Sequence, residues 1–285
     1  MLHVECLLLP AEAVPAADHW LAPAEAEVLA GLHLPRRRAD WRLGRYAAKR
    51  LLAAQRATPP ALSELAVLAA PDGAPEVLLR GEPLPLTLSL SHRDGLALCA
   101  VAAGRVGLGC DLERVEPRSA ALVDDFFTAA ERARVLQAPE AERALLANLV
   151  WSAKESALKL LREGLRLDTR RVEVEGATGY RLPATGNGGP HPPAPSPAGG
   201  RAGGAQCRGR GRSSPAAGSR QPTADDRQPT ADSRQPPSWQ PLTVRHAERR
   251  LHGWWRRHEG WVLTLVAEPA PEVPRLVVAP AAGSR

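Results

Sequence analysis

From about Thr178 to Ser238 the chain consists almost wholly of Gly, Pro, Ser, Arg and Ala, with nearly no large apolar side chains. Fixing a backbone residue costs about 1–2 kcal/mol, and a segment with no apolar surface to bury cannot offset that. The segment is therefore expected to be disordered, and the folded structure must come from the residues before and after it. Inside it, RQPTADD at 220–226 is followed by RQPTADS at 227–233 and RQPP from 234. A heptad with Pro in every unit and no apolar a and d positions is not a coiled coil; it reads as an expansion inside a loop.

The same segment explains the charge. The formal net charge is +6, but between positions 181 and 240 eight Arg face three Asp, so the rest of the chain carries about +1. A nearly neutral body argues against a nucleic-acid partner. The rival reading as a basic nucleic-acid-binding module rests on RGRGR at 208–212, a pattern of disordered RNA-binding segments, without accompanying aromatics. With 44% hydrophobic residues the remainder can bury a real core. Cys6, Cys99, Cys110 and Cys207 have neither zinc nor disulfide-framework spacing, and Cys99 and Cys110 sit in apolar runs, so inert buried thiols are expected. No basic n-region precedes the apolar start, and no run approaches 18 apolar residues. A cytoplasmic protein with no membrane span is the expectation.

The remainder reads as α+β. Arg37 to Arg56 is rich in Leu, Ala, Arg and Lys, which predicts a helix. LTLSLS at 86–91 alternates apolar and polar residues, and ALCAVAA follows Gly95, which predicts a hairpin turning at Arg93-Asp94-Gly95. A strand is expected over Val106 to Glu113, a capped helix from Thr128 and Glu131, and a longer helix from about Glu140 to Arg162. Strands from Val172 should resume after the insertion and end at Trp261 to Ala267. Two unequal halves are expected, 1–104 and 105–270, the second interrupted by the 178–238 insertion and followed by a disordered tail, 271–285.

Three segments carry candidate chemistry. In GLGCDLE, Asp111 and Glu113 are two apart, so in a strand both carboxylates project from one face. That suits a hard cation such as Mg²⁺, which takes one or two carboxylates beside substrate phosphates; two solvated charges would look the same. In WSAKESALK, Trp151, Glu155 and Lys159 share a helix face, adding a carboxylate and a cation, or an ordinary surface pair. In PRRRADWRLGRYAAKR, Arg38, Arg42, Arg45 and Lys49 follow i, i+4, i+7, i+11 spacing and make a cationic stripe, suited to phosphates or to solvent.

Taken in order, SLSH at 89–92, GLGCDLERVEPRS at 107–119, FFTAAE at 126–131 and WSAKESALK at 151–159 resemble the Sfp-like 4'-phosphopantetheinyl transferase superfamily. The resemblance extends from about Leu34 to Asp168 and resumes in the terminal GWW and WVLTLV segments. It implies an α/β fold of two pseudo-symmetric subdomains with the active site between them, in a monomer. It implies Mg²⁺-dependent transfer of the phosphopantetheine arm of coenzyme A to a serine of an acyl or peptidyl carrier protein, with release of 3',5'-ADP. An inactive relative that only binds carrier proteins is the alternative. By the resemblance, Asp111, Glu113 and Glu155 are the metal positions, and Glu155, Glu113 and Lys159 serve the chemistry. Arg38, Arg45, Ser91, His92, Lys154 and Lys159 would meet coenzyme A. The sequence departs from the pattern at Arg80 to Pro83, RGEP in place of GKP, so one cation is missing or replaced by Arg80.

Overall fold

The structure, a computed structural model, describes residues 1–177 and 238–280. The insertion from 178 to 237, with its heptad repeats, RGRGR run and Cys207, lies outside the described residues, as do 281–285.

The chain opens with β1 (Val4–Pro10), α1 (Pro23–Ala30) and α2 (Pro35–Ala54). Pro35 stands in the first turn of α2, where its missing N–H costs no bond. Three short strands follow, β2 (Leu65–Ala69), β3 (Pro75–Leu79) and β4 (Glu82–Pro83), forming their own small sheet. The expected hairpin is β5 (Leu86–Arg93) and β6 (Leu96–Ala103). Its two loop residues, Asp94 and Gly95, have φ of 46° and 79°, the signs a type I′ turn requires. Next come β7 (Gly107–Arg114), α3 (Ala120–Phe126), α4 (Ala129–Gln137), α5 (Glu140–Leu161) and β8 (Val172–Ala177). After the insertion the chain continues as β9 (Gln240–His246), β10 (Arg249–His258), β11 (Trp261–Glu268) and β12 (Arg275–Val278).

Two larger sheets result, in the orders β12-β1-β6-β5 and β7-β11-β10-β9-β8. The expectation of a disordered tail from residue 271 is corrected here. β12 pairs in parallel with β1, Glu5 opposite Arg275 and Leu8 opposite Val278, so the C-terminus completes the first sheet. Tail composition gave no hint of this because a short, mostly exposed edge strand is held by backbone hydrogen bonds.

Period-2 alternation builds three cores. On the first sheet Leu7, Leu9, Ala97, Cys99 and Val101 pack with α2 residues Leu43, Ala47, Leu51 and Leu52. On the second, Val262 and Val266 pack with α5 residues Leu146, Leu149, Ala153 and Ala157. The opposite faces, Cys6, Leu8, Leu98 and Ala100 from one sheet and Leu108, Cys110, Leu112, Leu263 and Leu265 from the other, form the third core. Cys6, Cys99 and Cys110 are buried free thiols whose pKa values burial pushes up, as inert cysteines require.

One device is built twice. Glu25 of α1 accepts from the backbone N–H of Ala22 and of Val67 and pairs with Lys49 of α2, all fully buried. Glu131 of α4 accepts from the N–H of Thr128 and of Val174 and pairs with Lys154 of α5 at 2.8 Å, again fully buried. Each glutamate thereby ties a short helix, a strand and a long helix together. Removing one partner would leave a buried charge uncompensated.

Candidate active site

The two sheets meet at their edges, β5 and β7, through side chains. The alternating polar positions of LTLSLS face β7: Thr87 Oγ1 accepts from Val106 N at 3.0 Å and Ser89 Oγ accepts from Cys110 N at 2.9 Å. Ser91 Oγ donates to Asp111 Oδ1 at 2.7 Å. The alternation that marks a strand thus also forms the seam between the sheets, and it delivers Ser91 to the first candidate carboxylate.

The opposite side of Asp111 is set by α5. A Cβ on Gly109 would lie 1.8 Å from the carbonyl oxygen of Ser156, so only glycine lets the helix lie this close to β7. Ser152 and Ser156 of the helix each share a hydrogen bond with Thr264 Oγ1 of β11, at 2.8 and 2.7 Å, and Thr264 stands opposite Asp111 in register. This close approach lets Lys159 Nζ donate both to Cys110 O at 3.0 Å and to Asp111 Oδ1 at 2.8 Å. Burial opposes charge on Lys159, but Asp111 beside it holds its pKa above the ordinary lysine value. Asp111 is 4% exposed, its Oδ1 accepts from Ser91 and Lys159, and no donor among the described residues reaches its buried Oδ2.

The side chain of Glu155, one turn before Lys159, forms no hydrogen bond or ion pair among the described residues. Burial raises its pKa, and the nearby charges of Asp111 and Glu113 raise it further against the pull of Lys159. Trp151, on the same helix face, packs edge-on against Phe126 at 5.2 Å between ring centroids, a structural contact.

Glu113 shares the face of Asp111, as two-residue spacing requires, but it is engaged elsewhere. Its Oε2 accepts from Arg93 and, at 2.5 Å, from Arg118. Arg93 also bonds Glu116, and Arg118 Nε donates to Asn148 Oδ1 at 2.7 Å. Among the described residues no three His, Cys, Asp or Glu side chains gather closely enough to hold a metal ion. Of the expected carboxylate triad, the structure brings Asp111 and Glu155 beside Lys159 and turns one oxygen of Glu113, Oε2, to two arginines. Those arginines, and Asn148, escaped the sequence reading because nothing in local spacing links positions 93, 118 and 148.

The cationic stripe of α2 is corrected as well. Arg38 donates to the carbonyls of Leu29 and Leu32, Arg42 to Asp18 and to the carbonyls of Pro15 and Ala16, and Lys49 is the buried partner of Glu25. These three pin the segment before the helix onto it. Arg38 and Lys154, both expected to meet coenzyme A, are thus structural; Lys154 Nζ donates to Thr169 O at 2.9 Å, to Val172 O and to Glu131. Arg80, the proposed replacement cation, pairs with Glu64 at 2.8 Å.

Arg45 remains. Its guanidinium lies 4.5 Å from the centre of the Trp41 ring, and its Nε is buried without a partner. It lines a pocket of about 350 Å³ with Leu34, Arg36, Arg37, Asp40, Trp41 and His92. Residues 37, 41 and 45 follow i, i+4, i+8 spacing, so the face that opens to the pocket is neighbour to the stripe expected. His92 stands beside Gly44, and desolvation lowers its pKa below the ordinary histidine value.

Residues 107–190 match the family model of the 4'-phosphopantetheinyl transferase superfamily, which bears out the resemblance over the segment that contains Asp111, Glu113, Lys154, Glu155 and Lys159. The holo-[acyl-carrier-protein] synthase of Thermotoga maritima is similar at 20% identity, over 44% of this chain and 76% of that chain, with a TM-score of 0.30. No curated protein matches the chain. Among the described residues no helix is long and apolar enough to cross a membrane.

Proposed function

We propose that this protein transfers the 4'-phosphopantetheine arm of coenzyme A to a serine of an acyl or peptidyl carrier protein, releasing 3',5'-ADP. One observation carries the reading: the buried, unpartnered Oδ2 of Asp111, beside Lys159 and Glu155, within the segment that matches the superfamily. A buried carboxylate oxygen without a donor calls for a cation, and Mg²⁺ with its preference for oxygen ligands fits. Asp111 and Glu155 would hold it, and when bound it would draw negative charge from the pyrophosphate.

The chain's own groups have separable tasks. Lys159, fixed by Cys110 O and Asp111, presents a preorganised positive charge to the phosphates. Ser91 holds Asp111 in orientation. The pocket of Arg36, Arg37, Trp41, Arg45 and His92 offers cations and an aromatic face to the nucleotide 3'-phosphate and base. The carrier serine must lose its proton as its oxygen attacks the β-phosphorus. Glu155 is better placed for this than Glu113, because two guanidiniums hold Glu113 Oε2 whereas the Glu155 side chain has no such partner among the described residues; burial raises the pKa of both carboxyls. Serving both roles requires that one Glu155 oxygen stay free of the metal.

The twice-built Glu–Lys device, Glu25–Lys49 and Glu131–Lys154, supports a reading of the fold as two halves related by pseudo-symmetry, with the site at the β5–β7 seam between them. A monomer in the cytoplasm completes the proposal. The test is the intact mass of a panel of apo carrier proteins incubated with this protein, coenzyme A and Mg²⁺. A gain of one phosphopantetheine group, abolished by EDTA, is the expected result. Unmodified carriers throughout, with no binding of coenzyme A, would refute it.

A further inference from the structure

Asn148 of α5 is fully buried in a run of buried apolar residues, Leu146, Ala147, Leu149 and Val150. A polar group in such a place costs stability unless its hydrogen bonds are made. All are made here: Nδ2 donates to Glu116 O and to Ala144 O, each at 2.7 Å, and Oδ1 accepts from Arg118 Nε at 2.7 Å. Two carbonyls and a guanidinium around one side chain require an amide, since a carboxylate has no donor, an amine no acceptor and a hydroxyl one donor only. The planar guanidinium of Arg118 is held at its other end by Glu113, whose Oε2 accepts from Nη2 at 2.5 Å. Arg93 meets that same oxygen from the end of β5, which leaves Glu113 Oε1 without a partner among the described residues. A carboxylate free to rotate presents either oxygen; this one is fixed by its Oε2.

Positions 148, 155 and 159 follow i, i+7, i+11 spacing, so Asn148 lies on the same stripe of α5 as Glu155 and Lys159. Lys159 holds Asp111 directly, and Asn148 bears on Glu113 through Arg118. One helix face thereby orients both carboxylates of β7. We infer that Asn148 is a positioning residue for the transfer step, which, through Arg118, fixes Glu113 so that Oε1 is the oxygen it presents beside Asp111. The inference rests on the transfer reading above. A displacement of about 1 Å at a reacting centre can cost on the order of 100-fold in rate, so a brace one residue removed from the site has a kinetic signature.

The experiment measures kcat and the KM for coenzyme A at saturating apo carrier, on the full chain, with urea unfolding in parallel. Asn148→Leu keeps the branched shape and removes all three bonds. Its kcat should fall about tenfold in folded protein while the KM for coenzyme A stays within about twofold, the split expected of a group that serves the transition state. Arg118→Met should lower kcat at least as far, and the double variant should lie within about threefold of Arg118→Met, because the two side chains act in series. The urea midpoint should drop further in the double variant, since the bonds to Glu116 O and Ala144 O are lost whatever stands at 118. Wild-type kcat in folded Asn148→Leu, or kcat losses that multiply in the double variant, would overturn the inference. If Asn148→Leu does not fold, Arg118→Lys decides: it keeps a cation for Glu113 but cannot span from Glu113 to Asn148, so kcat should fall by a similar factor. Wild-type kcat in Arg118→Lys would show that charge alone suffices and sink the bracing role. Unchanged kcat in Glu113→Gln would overturn this inference alone, whereas a wild-type protein that modifies no carrier would overturn the transfer reading beneath it.

Discussion

The carbonyl oxygen of Ser156 lies where a Cβ of residue 109 would have to be, 1.8 Å from its ideal position, so Gly109 sets how deeply α5 settles on β7. Glu155 and Lys159 ride on that helix and Asp111 on that strand. Gly109→Ala pushes backbone against backbone, which no rotamer change relieves. The expected cost is about 1–3 kcal/mol in urea unfolding, the usual range for overpacking. Turnover should fall more steeply than stability predicts, because the Lys159 bonds to Cys110 O and Asp111 lengthen with the helix. A variant with wild-type turnover would show that the close approach does not position the site.

Two lysines five residues apart on α5 should separate structure from chemistry. Lys154→Ala leaves Glu131 charged and buried, and breaking such a pair costs about 3–5 kcal/mol. Lys159→Ala removes a partly exposed cation but leaves the buried Asp111 without it, so some stability should go too, while transfer is lost in protein that still folds. The double replacement Glu131→Leu with Lys154→Met should recover much of the stability that Lys154→Ala loses. If Lys154→Ala were stable but failed to bind coenzyme A, its assignment as structural would be wrong.

Arg42 and Arg45 make the same contrast on α2. Arg45→Ala should raise the KM for coenzyme A about 10- to 100-fold, the range of a lost charged hydrogen bond, and change the KM for 3'-dephospho-coenzyme A little. Arg42→Ala frees Asp18 and two carbonyls, so it should lower stability by about 1 kcal/mol and leave both KM values alone. Equal effects of Arg45→Ala on both substrates would refute its 3'-phosphate role.

How far these assignments could be read from the sequence follows from the range of each interaction. The strand carrying Asp111 and Glu113, the helix carrying Glu155 and Lys159, the hairpin turning at Arg93-Asp94-Gly95 and the Thr128–Glu131 capping box are local patterns, and all are present as expected. The errors come from long-range pairing. Arg38, Arg42 and Lys49 have the spacing of a phosphate-binding face, but their partners, Leu29, Asp18 and Glu25, lie in an earlier segment whose fold over the helix has no local signature. Glu113 fits the strand pattern of Asp111 and differs only in being met by Arg93 and Arg118. Spacing says which side chains share a face; what stands opposite that face decides their use.

The acid side of the pH profile tests Glu155. Burial lifts its pKa, with Asp111 and Glu113 adding to the shift, so the folded protein binds this proton more tightly than the unfolded chain does. The protonated form is thus the one the fold favours: its stabilising contribution is present below the unfolded pKa and is lost as pH rises through the folded one. In EDTA, Glu155→Gln should therefore flatten the stability profile across that window and gain stability relative to wild type near neutrality. Transfer needs the ionised form, and a bound divalent cation favours it, so the acid-side decline of wild-type turnover should move to lower pH as Mg²⁺ is raised. An acid-side decline that does not move with Mg²⁺ would mean that Glu155 is not the group that takes the proton.

The last prediction concerns the insertion. β8 and β9, which flank it, are antiparallel neighbours with Ala177 opposite Leu242. Directly opposed residues in such a pair lie about 4.5–5.5 Å apart, so a short turn can join the strands without moving either. Both belong to the second sheet, three and four strands from β7 in the order β7-β11-β10-β9-β8, and none of the residues placed in the site lies on them. Replacing residues 180–237 with a short Gly-containing turn should therefore preserve the urea midpoint and the rate of carrier modification. A soluble, fully folded deletion variant that binds coenzyme A but no longer modifies the carrier would show that the inserted segment engages the acceptor. A variant that fails to fold would show instead that the two strands need more than their own register to pair.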